Sequence, residues 1–209
     1  MFGTDILTFQ EFIMQEPLPL STIQQAVLQF LRHRDDAVVF GAQAVNAYVS
    51  EPRMTQDIDL LSPRAEELAK ELRAHLSQQF HIAVRLREIG EGRGYRLYQV
   101  QKSGNRHLVD VRSVKNLPMT QRIEHVLVLA PAELIASKVV SYYQRRGKPK
   151  SGTDWRDVAM LLLKFPELKS EAGLVLDCLT RAGASPEVLA LWREIVNTEI
   201  KPEDDEDEF

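Results

Sequence analysis

Two aspartates separated by one isoleucine, Asp57 and Asp59, stand in the run TQDIDLL. Acid and apolar residues alternate through it, the pattern of a strand with one polar face, and positions i and i+2 of a strand point the same way. The two carboxylates would stand side by side about 7 Å apart along the chain. Ile58 and Leu60 would bury the other face. Paired carboxylates repel one another, and a bound divalent cation relieves the repulsion. Magnesium suits them best, because it takes hard oxygen ligands octahedrally and keeps positions for water and substrate phosphate. Manganese is the second choice.

A D-x-D alone is too short to be diagnostic, and Asp205 with Asp207 supplies another near the C-terminus. The residues upstream give this one its meaning. Residues 37–40, AVVF, read as a short buried strand closed by Gly41, and residues 42–49 have helical composition. A glycine there lets the backbone approach an anion, and the free N–H groups of Ala42 and the turn that follows would point at it. Arg53, just before the acidic strand, is a further candidate for phosphate.

Two helical patterns downstream carry charges where apolar residues belong. From Pro131, the residues Leu134, Ile135, Val139 and Tyr142 form one stripe, and Lys138 falls inside it. Such a lysine either snorkels, meets an acid, or meets a phosphate. On the next helix Asp154 and Asp157 share a side with Val158, Leu161 and Phe165. Asp154 has a local explanation, since acids favour a helix N-terminus; Asp157 has less of one. Between the two helices, RRGKPK places four basic residues in six positions, at 145–150. A polyanion could dock there, whether nucleotide or RNA.

The elements that must position these residues follow from periodicity and turn signals. A capping box, Ser21 with Gln24, precedes an amphipathic helix carrying Ile23, Val27, Phe30 and Leu31. After the acidic strand, Ser62 and Pro63 open a helix with Leu68, Leu72 and Leu76, which feeds a strand carrying Ile82, Val84 and Leu86. Runs 95–101 and 106–114 read as a hairpin around Ser103-Gly104-Asn105. Sheet-like patterns end near Val128, and helices follow, with starts at Pro131, Thr153 and Pro186. The expected fold is α+β, a small mixed sheet with flanking helices over residues 1–128 and a helical part over 129–200. Residues 201–209 form an acidic tail, expected to be disordered.

Composition agrees with one folded domain: the 209 residues are 44% hydrophobic and 27% charged. The net charge of −4 hides a split, because the tail's six acids and one lysine carry −5 and leave +1 for the rest. The single cysteine, Cys178, cannot form an intrachain disulfide and reads as a small core residue. Neither a signal peptide nor a run of about 20 apolar residues is visible, so a cytoplasmic location away from membranes is expected.

Strand, Gly-Ala, short helix, then Asp-x-Asp on a strand resembles the DNA polymerase β nucleotidyltransferase superfamily. Within it, GAQAVNAY followed by PRMTQDIDLL resembles the AbiEii-type small nucleotidyltransferases, many of them toxins of abortive-infection and toxin–antitoxin systems. The likeness spans residues 37–165. Gly41-Ala42 stands where many members have Gly-Gly or Gly-Ser, so a hydroxyl contact to phosphate is lost and the backbone contacts remain.

The resemblance implies a third carboxylate, matched by Asp110 in HLVDVRSV, as a metal ligand with Asp57 and Asp59 or as acceptor of the attacking hydroxyl's proton. The other reading of Asp110 is an ion pair across the hairpin to Arg106 or Arg96. It also implies that Lys138 and Arg145 serve the nucleotide phosphates. TDWRDVAMLL matches a D-x-x-D region whose acid contacts that lysine or the active site, Asp154 first and Asp157 second. The implied activity is Mg²⁺- or Mn²⁺-dependent transfer of NMP from an NTP to an acceptor hydroxyl on RNA, tRNA or protein, with an antitoxin as partner. Two alternatives stay open: a silent nucleotide-binding or regulatory module, and an enzyme acting on a small molecule such as an aminoglycoside antibiotic.

Overall fold

A computed structural model describes residues 18–202, Ser103 excepted. Most of the acidic tail, residues 203–209, therefore lies outside the described residues, and so does its expected disorder.

The chain opens with helix α1 (Leu20–Leu31), strand β1 (Val38–Phe40), short helix α2 (Gly41–Asn46), strand β2 (Ile58–Ser62) and helix α3 (Ala65–Phe80). Strands β3 (Val84–Ile89), β4 (Gly94–Gln99), β5 (Arg106–Ser113), β6 (Thr120–Ile123) and β7 (Val126–Leu129) complete one seven-stranded sheet in the order β3-β4-β5-β2-β1-β7-β6. The sheet is mixed: β2 runs parallel to β5 and β1 parallel to β7, while the other neighbours are antiparallel. Helices α4 (Pro131–Gln144), α5 (Lys150–Lys164), α6 (Leu174–Arg181) and α7 (Pro186–Asn197) follow. This is the expected α+β architecture with a helical C-terminal part.

Alternation sorts the sheet faces. Ile58, Leu60, Val109 and Val111 are at most 1% exposed, whereas Asp59 and Asp110, which alternate with them, stand on the opposite face. α3 packs on the apolar face through Leu68, Leu72 and Leu76, all fully buried; each such leucine contributes on the order of 1.5–3 kcal/mol by leaving water. α4 is the hub of the helical part and contacts α2, α5, α6 and α7. That contact is what carries the inward side chains of α4 toward the acidic face.

Several local expectations need correction. Pro19, not Ser21, precedes the first turn of α1, so no capping box forms; Gln24 instead donates through Nε2 to Thr55 O at 3.1 Å and Thr55 Oγ1 at 3.2 Å. The long-range partner outcompetes the local cap. α5 starts at Lys150 instead of Thr153, because Pro149 supplies a helix-compatible φ one turn earlier. β2 starts at Ile58, leaving Asp57 immediately ahead of it.

Candidate active site

A row of registered residues crosses the middle of the sheet. Arg96 on β4 stands opposite Asp110 on β5, Asp110 opposite Asp59 on β2, and Asp59 opposite Phe40 on β1. Phe40 leads directly into Gly41, whose φ of +69° is one that side chains rarely adopt. The glycine is required for a second reason: a Cβ built there would lie 2.1 Å from Asp59 Oδ2. The strand–glycine–helix junction thus folds over Asp59, and Gly41 borders the carboxylate.

Asp110 is held from two sides. The Arg96 guanidinium donates to both its oxygens, with Nη2 at 2.9 Å from Oδ2, and His107 Nε2 lies 2.9 Å from Oδ1. The other ring nitrogen of His107, Nδ1, lies 3.0 Å from Asp57 Oδ2. One imidazole therefore bridges the acid before β2 and the acid inside β5. Ligand atoms of Asp57, His107 and Asp110 all lie within 4.8 Å of one another, a grouping able to hold a metal ion. Asp59 is on the same face but outside that group, so the expected trio of aspartates is only partly the cluster observed.

His107 should not share a face with Asp110, since residues three apart on a regular strand point oppositely. A register shift makes it possible: Leu97 pairs with Val109 and Tyr98 with His107, so Leu108 is an extra residue on β5. This β-bulge re-aims His107 toward the acids. Leu108 and Val109 are consequently both buried. The sequence signal was available in HLVDV, where two adjacent apolar residues break the alternation.

Charges in the cluster are mutually balanced. Burial alone would lower the His107 pKa, but its hydrogen bonds to Asp110 and Asp57 outweigh this and raise it to about 9. Burial would raise Asp110, but His107 and Arg96 hold it at about 2. The hydrogen bond from His107 likewise keeps Asp57 below its usual value. Asp59 is different: burial, then the neighbouring Asp57 charge, raise its pKa, opposed by Arg112.

A second cluster borders the first. Lys138 on α4 is buried and donates to Asp157 Oδ2 at 2.7 Å, while Arg53 donates to both Asp157 oxygens at 2.8 Å each. Asp157 is thus the acid that meets the lysine; Asp154, placed first by the resemblance, accepts instead from Arg145 Nη1 at 2.8 and 3.0 Å. Burial opposes the ionisation of Asp157, but Arg53 and Lys138 keep its pKa low. The Arg53 backbone is clamped in turn by Asn46 at the end of α2, which donates to Arg53 O at 2.8 Å and accepts from Arg53 N at 3.0 Å. Charges of this cluster reach the first one: Lys138 acts electrostatically on Asp59, and Asp57 on Arg53. Lys150, the first residue of α5 at the end of the basic turn, acts on Asp57. His107, Arg112 and Asn46 were not among the expected site residues, and Arg96 entered only as an alternative ion-pair partner of Asp110.

A mixed sheet whose Gly-Ala junction folds over a D-x-D strand, with a third acid in register on the next strand, defines a nucleotidyltransferase. The chain belongs to the family described as nucleotidyl transferase AbiEii toxin, type IV toxin–antitoxin system, whose model matches residues 25–208. No curated protein matches the chain. Solved structures share the fold: the Megavirus polyadenylate synthase has a TM-score of 0.57 and 15% identity over 70% of this chain, and the chain spans only 32% of that protein. A putative nucleotidyltransferase from H. pylori has a TM-score of 0.53 and 12% identity, covering 85% of this chain and 93% of its own. JHP933 from Helicobacter pylori has a TM-score of 0.51 and 11% identity, covering 84% and 90%. No helix among the described residues is long and apolar enough to cross a membrane.

Proposed function

We propose that the protein transfers a nucleoside monophosphate from a metal-bound nucleoside triphosphate to an acceptor hydroxyl on a macromolecule, within a toxin–antitoxin pair. One observation carries this reading: Gly41 gives up its side chain to the carboxylate of Asp59 while Asp57 and Asp110 converge on the same face. A phosphate-binding turn and a carboxylate cluster then meet at one point.

The donor set fits a divalent cation, since Asp57, His107 and Asp110 offer ligand atoms within 4.8 Å of one another and the Asp59 carboxylate feels the charges of Asp57 and Asp110 on the same face. Bound there, the ion would neutralise phosphate charge and lower the pKa of a coordinated hydroxyl. The Gly41 and Ala42 backbone would receive the β- and γ-phosphates. Arg53 and Lys138 would add positive charge behind them, with Asp157 holding both in place. Arg145, fixed by Asp154, and the turn through Lys150 would meet the acceptor or the outer phosphates. Asp110 is poorly suited to take the acceptor's proton, because Arg96 and His107 keep it a weak base. Its task is therefore to position charge.

Calorimetric titration of Mg-NTP into wild type and an Asp57→Ala/Asp59→Ala variant tests binding, and α-labelled NTP incubated with total RNA or with protein tests transfer. The reading holds if wild type alone binds and passes label to an acceptor. Equal binding by both proteins, or by neither, overturns it. Binding without transfer to any acceptor would identify the silent module instead.

A further inference from the structure

We infer that His107 is itself a metal ligand, through Nδ1, and that Asp110 acts as the carboxylate that orients its ring; the inference rests on the divalent-cation reading above. Nδ1 lies 3.0 Å from Asp57 Oδ2. Neighbouring ligands of an octahedral ion, each about 2.1 Å from it, are themselves about 3 Å apart. The two atoms already have the separation of adjacent ligands, so an ion lying off the line between them would reach both once the proton they share has left.

The opposite edge of the ring cannot serve in the same way, although Nε2 is as close to Asp110 Oδ1 at 2.9 Å. Oδ1 also accepts from Arg96 Nε, and Oδ2 from Arg96 Nη2. An ion there would face the guanidinium at short range and be repelled. Nε2 is left to donate its proton to Asp110. A ligating imidazole commonly gives its other N–H to a carboxylate, which fixes the tautomer and the ring angle. Arg96 completes the chain by fixing Asp110. The Leu108 bulge is what aims the ring at Asp57.

The resulting pair, Asp57 and His107 with Asp59 on the same face beside them, mixes oxygen and nitrogen where the family resemblance implies carboxylates alone. An imidazole ligand shifts preference from Mg²⁺, which favours oxygen, toward first-row transition ions. Mn²⁺ is the member whose liking for oxygen still matches the two aspartates, and its unpaired electrons report on a coordinated nitrogen.

Electron spin echo modulation of Mn²⁺ bound to the full chain is the test. The wild-type spectrum is expected to show ¹⁴N coupling of a coordinated imidazole, replaced by the ¹⁵N pattern when histidine is isotopically labelled. His107→Gln is expected to lose the coupling, and Asp110→Asn to weaken Mn²⁺ binding by about 10- to 100-fold as outer-sphere partners do. Mn²⁺ that depends on Asp57 yet shows no nitrogen coupling would overturn the inference and leave the metal site standing. No Mn²⁺ binding, or binding unchanged in Asp57→Ala, would overturn both. The wild-type spectrum decides, whether or not either variant folds.

Discussion

Gly41 and Asp59 share a space that only one of them can fill: a Cβ on Gly41 would lie 2.1 Å from the Asp59 carboxylate oxygen. Gly41→Ala is therefore expected to cost stability twice, about 1–2 kcal/mol for a side chain at positive φ and more for displacing the carboxylate. Most of the second cost, but not the first, should be relieved in an Asp59→Ala background, where only the Cβ of residue 59, 3.1 Å away, remains. A double-mutant cycle in urea measures it; additivity of the two substitutions would show that the contact is not what demands glycine. Mn²⁺ and NTP binding should be lost in Gly41→Ala even where it remains folded.

The buried Lys138–Asp157–Arg53 cluster should matter to the fold itself. Asp157→Ala leaves a buried ammonium without its counter-ion, a change that costs on the order of 3–5 kcal/mol. Asp157 has a depressed pKa in the folded protein, so it contributes stability that is present above the ordinary aspartate value of 3.8 and lost as pH falls below it. Asp157→Asn should flatten that acid limb of the urea midpoint against pH. A limb unchanged by the substitution would place the titrating group elsewhere.

Much of this was legible in the sequence because it is written in periodicity. Gly41 between a strand and a helix, Asp57 and Asp59 around Ile58, and Lys138 and Asp157 inside apolar stripes all violate or satisfy a local pattern. Partner choice was not legible in the same way. Asp154 and Asp157 lie on one side of α5, and only the packing of α4 decides that Asp157 meets Lys138 while Asp154, one turn earlier, meets Arg145. Gln24 looked like half of a cap because its true partner, Thr55, lies 31 residues away. His107 stayed hidden because alternation counted from Asp110 assigns it to the wrong face.

Arg96 is expected to act as a positioning residue. Arg96→Lys keeps the charge but loses the two-point hold on Asp110. Metal affinity should fall about 10- to 100-fold, with the urea midpoint little changed because Arg96 is 37% exposed. If Arg96→Lys binds Mn²⁺ as wild type does, Asp110 does not need the fork to stay in place.

Cys178 is buried, and burial, then the nearby Glu133 charge, raise its thiol to about 11. It should therefore resist a thiol reagent at pH 8 in the folded protein. Its modification should then follow global unfolding, with rates that rise as denaturant exposes α6. Rapid labelling without denaturant would mean that the α6 region opens on its own.

The bulge at Leu108 offers the sharpest test of how the site is built. Deleting Leu108 removes the extra residue between Val109 and His107, so regular pairing would continue from Leu97 opposite Val109 to Tyr98 opposite its next neighbour. In regular alternation the histidine then sits two positions from Asp110, about 6.5–7 Å along the strand, on the same face and still opposite Tyr98. Its ring could therefore still bridge Asp57 and Asp110. The expected result is a folded protein, judged by circular dichroism and a cooperative urea transition, that keeps the ¹⁴N coupling to bound Mn²⁺. Loss of that coupling in a folded deletion variant would show that the bulge sets the angle of the His107 ring as well as its face.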